Sequence, residues 1–173
     1  MTVTSNDLFL AVIVITVVQR LLNRRSLFFH QARPRELALA FLLGLAYTIP
    51  HLLTIDFTIP EAEHRRMLEA RLEPWPLLRL MIYVPLFEEY FNREIMLKNL
   101  TNRMGFPVAL AISSLFFGLM HVLKGWPGFL FALLFGVLAG LLYRRYGYFA
   151  AAAAHSGANL GGTLFPYLVV LLR

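Results

Sequence analysis

The chain has 173 residues, of which 58% are hydrophobic and 15% charged, with a mean hydropathy of +0.64, no cysteine and a net charge of +6. Soluble domains run at roughly 45–50% apolar and about 25% charged, so this composition excludes an ordinary soluble fold and predicts an integral membrane protein. The lack of cysteine excludes disulfides, thiolate metal sites and a cysteine nucleophile.

Apolar runs predict an all-α, polytopic transmembrane helix bundle of about six spans, forming one integral-membrane domain over residues 1–173. The first span, 8–22, is short and interrupted by Gln19 and Arg20; it reads as a retained segment rather than a signal peptide. The second, 37–55, carries Pro50 and His51 near its far end. Between it and the third lies a polar stretch, 56–76. Within that stretch, 60–72 opens with Pro60 and acids and puts Met67, Leu68 and Leu72 on one side. It reads as a short amphipathic helix on the membrane surface, or equally as a solvated connector.

The third span, 77–97, holds Glu88 and Glu89 in its interior. The fourth is 106–123 and the fifth 128–143, where Gly136 and Gly140 predict close helix contact inside the bundle. The sixth, 149–172, contains His155, Asn159, Gly161, Gly162 and Pro166, which predict a kink or an early end followed by a re-entrant piece.

A pI near 10.1 would suggest nucleic acid in a soluble protein, but 14 of the 16 basic residues are Arg and most fall in short gaps between apolar runs. They read as topology signals, with the lipid bilayer rather than nucleic acid as partner. Counted by alternate loops, ten lie on one side and six on the other, which predicts the ten-side to be cytoplasmic and both termini outside. Trp75 and Trp126 then fall at the outer interface, and Tyr143, Tyr146 and Tyr148 at the inner one.

Titratable groups inside spans are rare and costly, so they mark function by default. In this chain they reduce to Glu88, Glu89, Arg93, His121 and His155, with Asn159 beside them. Glu89 and Arg93 are four apart and predict a mutually neutralising ion pair. Glu88 is turned about 100° away on the helix and needs a different partner. His155 and Asn159 share a face, and Phe117 sits one turn before His121, where it can pack beneath the ring. At ~1.5 Å per residue, Glu88, His155 and Asn159 lie about 10–16 Å from the cytoplasmic helix ends, and His121 about 22 Å deep.

A carboxylate in a partly dry site is a stronger base, and an imidazole can share its proton or orient water. A second imidazole and an amide are donors suited to an oxyanion. The set points to peptide-bond hydrolysis without a covalent intermediate. Two rivals remain. Zinc could be held by His121, His155 and Glu88, although no HExxH motif is present. A non-catalytic, immunity-type membrane protein is the other.

Three motifs also carry a family resemblance. Glu88-Glu89-Tyr90-Phe91-Asn92-Arg93 fits EExxxR, Phe117-Gly118-Leu119-Met120-His121 fits FxxxH behind Ser113-Ser114, and His155-Ser156-Gly157-Ala158-Asn159 fits HxxxN behind a run of alanines. In this order they resemble the CAAX-protease and bacteriocin-processing (CPBP, Abi) family of glutamic intramembrane endopeptidases, of the Ras-converting-enzyme type. The resemblance spans about residues 80–162, inside a catalytic core of about 77–165. It implies that Glu88 and His121 activate water and that His155 and Asn159 hold the oxyanion. Glu89, Arg93 and Phe117 would support them, with no metal and no cofactor. The implied substrate is a membrane-bound protein or peptide, and the implied location the bacterial or archaeal cytoplasmic membrane. Asn92 and Glu94 depart from the Phe and Gly often found at these positions, and many relatives have about eight spans. The compact chain looks more like small relatives that process leaders or carboxy-terminal sorting signals.

Overall fold

A computed structural model describes residues 32–54 and 59–172, all within a compact unit spanning Gln31–Arg173. The expected first span, 8–22, and its arginines lie outside the described residues, as does Arg173. The described residues are helical with no strand, which bears out the all-α class.

Helix α1, Pro34–Tyr47, begins where its composition says a helix should. Pro34 supplies a preset φ at the first position, and the Glu36 carboxylate accepts the Arg33 N–H at 2.8 Å. It stops earlier than the expected second span. The chain leaves the α-helix at Thr48, just before Pro50, and continues as a 3-10 segment, Ile49–Thr54. Helix α2, Glu61–Leu72, is the expected short polar helix. Leu68 is buried on its inner side and Leu72 half-buried, but Met67 is exposed, so the inward stripe is narrower than the sequence pattern predicts.

Helix α3 is longer than the expected third span and runs without a break in helical dihedrals over residues 74–104. It is built from α-helical pieces, Pro74–Leu78, Val84–Glu89 and Lys98–Met104, separated by wider π turns at Arg79–Tyr83 and Tyr90–Leu97. Pro85 sits between those turns. A proline has no N–H, so it leaves the carbonyl four residues earlier without its usual donor. The Val84 N–H is drawn instead to Arg79 O. The carbonyls of Leu80 and Met81 thus lose their donors within α3 and need side chains from elsewhere.

Helix α4, Phe106–Leu119, returns antiparallel to α3, and α5, Gly125–Tyr146, pairs with α4. Gly136 faces Ser114 and Gly140 faces Leu110, so the predicted glycine contact lies inside the bundle. Helix α6, Tyr148–Leu171, is one continuous helix with Pro166 inside it, so the early end expected there is absent. It packs in parallel against α1. Gly44 faces the Ala154 backbone and Gly157 the backbone at Phe41 and Leu45, close approaches that only residues without a Cβ allow.

The core is rich in alanine, with Ala40, Ala139, Ala150, Ala151 and Ala154 packed around Phe117 and Phe135. Leu42, Ile112, Leu115, Leu119, Leu134 and Leu141 face outward and exposed. Val122–Tyr146 is long and apolar enough to cross a membrane, and Phe106–Leu119 is a shorter apolar helix.

Candidate active site

The site is assembled from α3, the end of α4, and α6. On α3, Glu89 and Arg93 form the ion pair their spacing predicts, with Nε of Arg93 donating to Oε2 of Glu89 at 2.7 Å and both side chains fully buried. The guanidinium also donates from Nη1 to Ser113 Oγ at 3.1 Å and lies 5.8 Å from the Phe117 ring centroid. Ser113 Oγ in turn donates to Asn92 O at 3.1 Å, and the Asn92 amide donates to Glu88 O at 2.8 Å. Asn92 and Ser113 thus brace the backbone that carries the two glutamates.

The second oxygen of Glu89 reaches across to α6, where Oε1 lies 2.9 Å from Nδ1 of His155. An ionised carboxylate only accepts, so Nδ1 carries the hydrogen and Nε2 is left for chemistry. That nitrogen is 3.9 Å from Oε2 of Glu88, beyond hydrogen-bond length. His155 therefore stands between two carboxylates, one bonded and one close by. Oε2 of Glu88 is buried and has no hydrogen-bond partner.

His121 is not inside a helix at the depth expected from 106–123. Helix α4 ends at Leu119, and a tight His121 N–H to Gly118 O bond of 2.9 Å turns the chain into a short 3-10 segment, Val122–Lys124. Its Nδ1 lies 3.0 Å from Phe117 O, an acceptor, so this ring too has Nε2 left over. Phe117 joins the two imidazoles. Its ring centroid is 4.9 Å from that of His121, packed beneath it as the spacing predicts, and 5.7 Å from that of His155, edge to face.

Asn159 donates to Leu80 O at 2.8 Å, and the Ser156 hydroxyl donates to Met81 O at 2.6 Å. Met81 O is the carbonyl that Pro85 leaves without its helical donor, and Leu80 O the one left when the Val84 N–H turns to Arg79 O, so α6 repairs α3 and in doing so sets the register that brings His155 to Glu89. One amide hydrogen of Asn159 remains. Tyr148 adds a further pin, donating to Leu86 O at 2.6 Å.

Beside this cluster lies a cavity of about 280 Å³. His121, His155 and Asn159 are in its wall, with apolar surface from Leu80, Phe131 and Phe135; Glu88 borders His155 but is not part of that wall. The residues that sequence reading missed are Tyr47 and Thr48 at the end of α1, and Arg71 and Lys124, all of which line the cavity. No local pattern marks them. Ser156 and Pro85 did carry a signal: a proline in an apolar helix calls for polar side chains opposite the freed carbonyls. Among the described residues, no group of three or more His, Asp or Glu is placed to hold a metal ion.

Fold and site together define, among the described residues, an all-helical protein whose buried Arg–Glu–His relay adjoins a cavity of mixed polar and apolar lining. The model of a protein family, Type II CAAX prenyl endopeptidase Rce1-like, matches residues 70–161, which is 92 of the 173 residues, and the chain belongs to that family. It is a family of membrane-embedded proteases. The matched stretch contains Glu88, Glu89, Arg93, His121, His155 and Asn159. No curated protein and no solved structure gives a significant match to this chain.

Proposed function

We propose that this chain is an intramembrane glutamic endopeptidase that hydrolyses a peptide bond of a membrane-associated protein or peptide, of the CAAX, leader or carboxy-terminal sorting-signal kind. The observation that carries the reading is that Glu88 of α3 lies 3.9 Å from His155 of α6, while the rings of His155 and of His121, in the turn after α4, both pack on Phe117.

The chemistry follows from which atoms are committed elsewhere. Water hydrogen-bonds to the Glu88 carboxylate and to Nε2 of His121, whose Nδ1–H is tied to Phe117 O. Its oxygen attacks the scissile carbonyl carbon while Glu88 takes its proton. The resulting oxyanion is held by the remaining amide hydrogen of Asn159 and by protonated Nε2 of His155, whose positive charge Glu89 balances through Nδ1. Arg93 supplies the counter-charge of Glu89 through the Nε–Oε2 ion pair. Glu88 then passes the proton to the leaving nitrogen, the C–N bond breaks, and the carboxylate is restored. Glu88, His121, His155 and Asn159 are the catalytic residues; Glu89, Arg93 and Phe117 position them. No metal or cofactor enters the scheme.

The whole chain, 1–173, acts as one polytopic domain of about six spans in the cytoplasmic membrane of a bacterium or archaeon. The outward-facing leucines support lipid contact. So do Trp75 and Trp126, exposed near the starts of α3 and α5. The basic-residue bias sets both termini outside.

The test is mass spectrometry of protein termini in cells carrying the wild-type chain or Glu88→Gln. Peptides whose ends appear only with the wild type name the substrate. An identical terminal inventory, with both proteins folded and expressed, sinks the proposal.

A further inference from the structure

We infer that Arg71 and Lys124 are specificity-determining residues that receive a carboxylate of the substrate at the rim of the cavity. The inference rests on reading this cavity as the substrate site. Both side chains line it and both residues are exposed, whereas no Asp or Glu among the described residues is in its wall. Among the described residues, Arg65, Arg93 and Lys98 are paired on their own helices, with Glu61, Glu89 and Glu94. Arg71 and Lys124 have no acidic partner among the described residues.

Lys124 is held in place by its surroundings. Its backbone N–H donates to His121 O at 2.9 Å, which holds the Lys124 backbone one short turn from the candidate catalytic imidazole. Gly128 makes room for its stem, since a Cβ there would lie 2.6 Å from the Lys124 Cβ. Arg71 comes from a different element. It follows the buried Leu68 by three residues on α2, so it shares the side of that helix that packs toward α6. Two cations from separate elements thus line one cavity whose wall also offers Leu80, Phe131, Phe135 and Ala158. A volume of about 280 Å³ admits a short extended segment rather than a folded domain. A segment with apolar side chains and one carboxylate matches both the greasy interior and the charged rim. The carboxylate can be a free carboxy terminus or an acidic side chain.

The experiment measures binding to the full-length Glu88→Gln protein in zwitterionic micelles, so that hydrolysis neither consumes the probe nor decides the result. The probe is a fluorescent, acylated hexapeptide of Leu, Phe and Ala in three forms: free acid, carboxy-terminal amide, and amide with one Asp replacing an Ala. The expected result is that the free acid or the Asp form binds about tenfold or more tightly than the neutral amide. Which of the two does so identifies the source of the carboxylate. Arg71→Gln with Lys124→Gln should abolish the preference, so that acid and amide forms bind alike, and Lys124→Arg should retain it. Equal binding of all three forms, no binding of any form by folded protein, or a preference that survives the double substitution overturns the inference. So does added phosphatidylglycerol that displaces acid and amide alike, which would assign the rim to lipid. Proteolysis failing in cells while the binding preference holds would remove the enzyme reading and leave the rim assignment standing.

Discussion

Glu89 and His155 are 66 residues apart in the chain and 2.9 Å apart in the structure. The carboxylate that neutralises Arg93 with one oxygen orients the imidazole of α6 with the other. Structural and chemical roles therefore meet on one side chain, and substitutions around it should separate them.

Glu89→Gln leaves Arg93 as a fully buried charge without its counter-charge. Losing one partner of a buried pair costs about 3–5 kcal/mol, so thermal unfolding in detergent should shift sharply downward. Glu89→Gln combined with Arg93→Gln should recover much of that stability. It should recover no activity, because His155 has still lost its ionised partner. Full activity in a restored double variant would refute the orienting role.

Glu88→Gln should behave in the opposite way. Oε2 of Glu88 is buried and unpartnered, so a neutral amide removes no bond and lightens the cost of a buried charge. The melting temperature should hold or rise while peptide hydrolysis falls by about 10²–10⁴ fold, the usual worth of a general base. A stable protein with unimpaired turnover would exclude Glu88 as the base.

Ser156 and Pro85 should couple. In the wild type, Ser156→Ala leaves Met81 O without a donor, at a cost of about 1–3 kcal/mol. In a Pro85→Ala background the new N–H can serve that carbonyl, and the same substitution should cost much less. Equal costs in a double-mutant cycle, read from unfolding in detergent, would show that the proline does not govern this contact.

Two glycines on α6 should differ. A Cβ at Gly157 meets the α1 backbone at Phe41 and Leu45, which cannot move aside without displacing the helix. Gly157→Ala should therefore destabilise by about 1–3 kcal/mol or more. At Gly162 nothing lies within 4 Å of an added Cβ, and Gly162→Ala should be neutral or stabilise by about 0.5–1 kcal/mol through helix propensity. Unfolding midpoints of the two variants test the contrast.

Hydrolysis by a carboxylate and imidazoles should survive metal removal. Incubation with a strong chelator such as phenanthroline is expected to leave the rate unchanged. Activity lost to chelator and restored by zinc would recast His121, His155 and Glu88 as metal ligands.

The amino-acid sequence by itself determined the helical class of the described residues and the site contacts that lie within one helical turn. The Glu89–Arg93 pair and the stacking of Phe117 on His121 depend only on 3.6 residues per turn. The glycine contact on α5 was likewise legible, because two small residues four apart leave a groove that a neighbouring helix must fill. Limits of helices were less so. Pro85 did not end α3 because π turns and the side chains of Ser156 and Asn159 absorbed the missing donor, which no local rule announces.

Only the tertiary structure decided which helices share a site and in what register. Glu89 could have given its second oxygen to any donor at its depth. The close approach of α1 to α6 through Gly44 and Gly157, and the pinning of α6 to the Leu80 and Met81 carbonyls, assign that oxygen to His155. In that structure His121 lies in the turn after α4 rather than in a helix, and Arg71 and Lys124 line one cavity. Within a helix, covalent geometry sets the neighbours. Between helices they are set by how backbones and side chains fit, and that information is spread over the whole chain rather than written at any one motif.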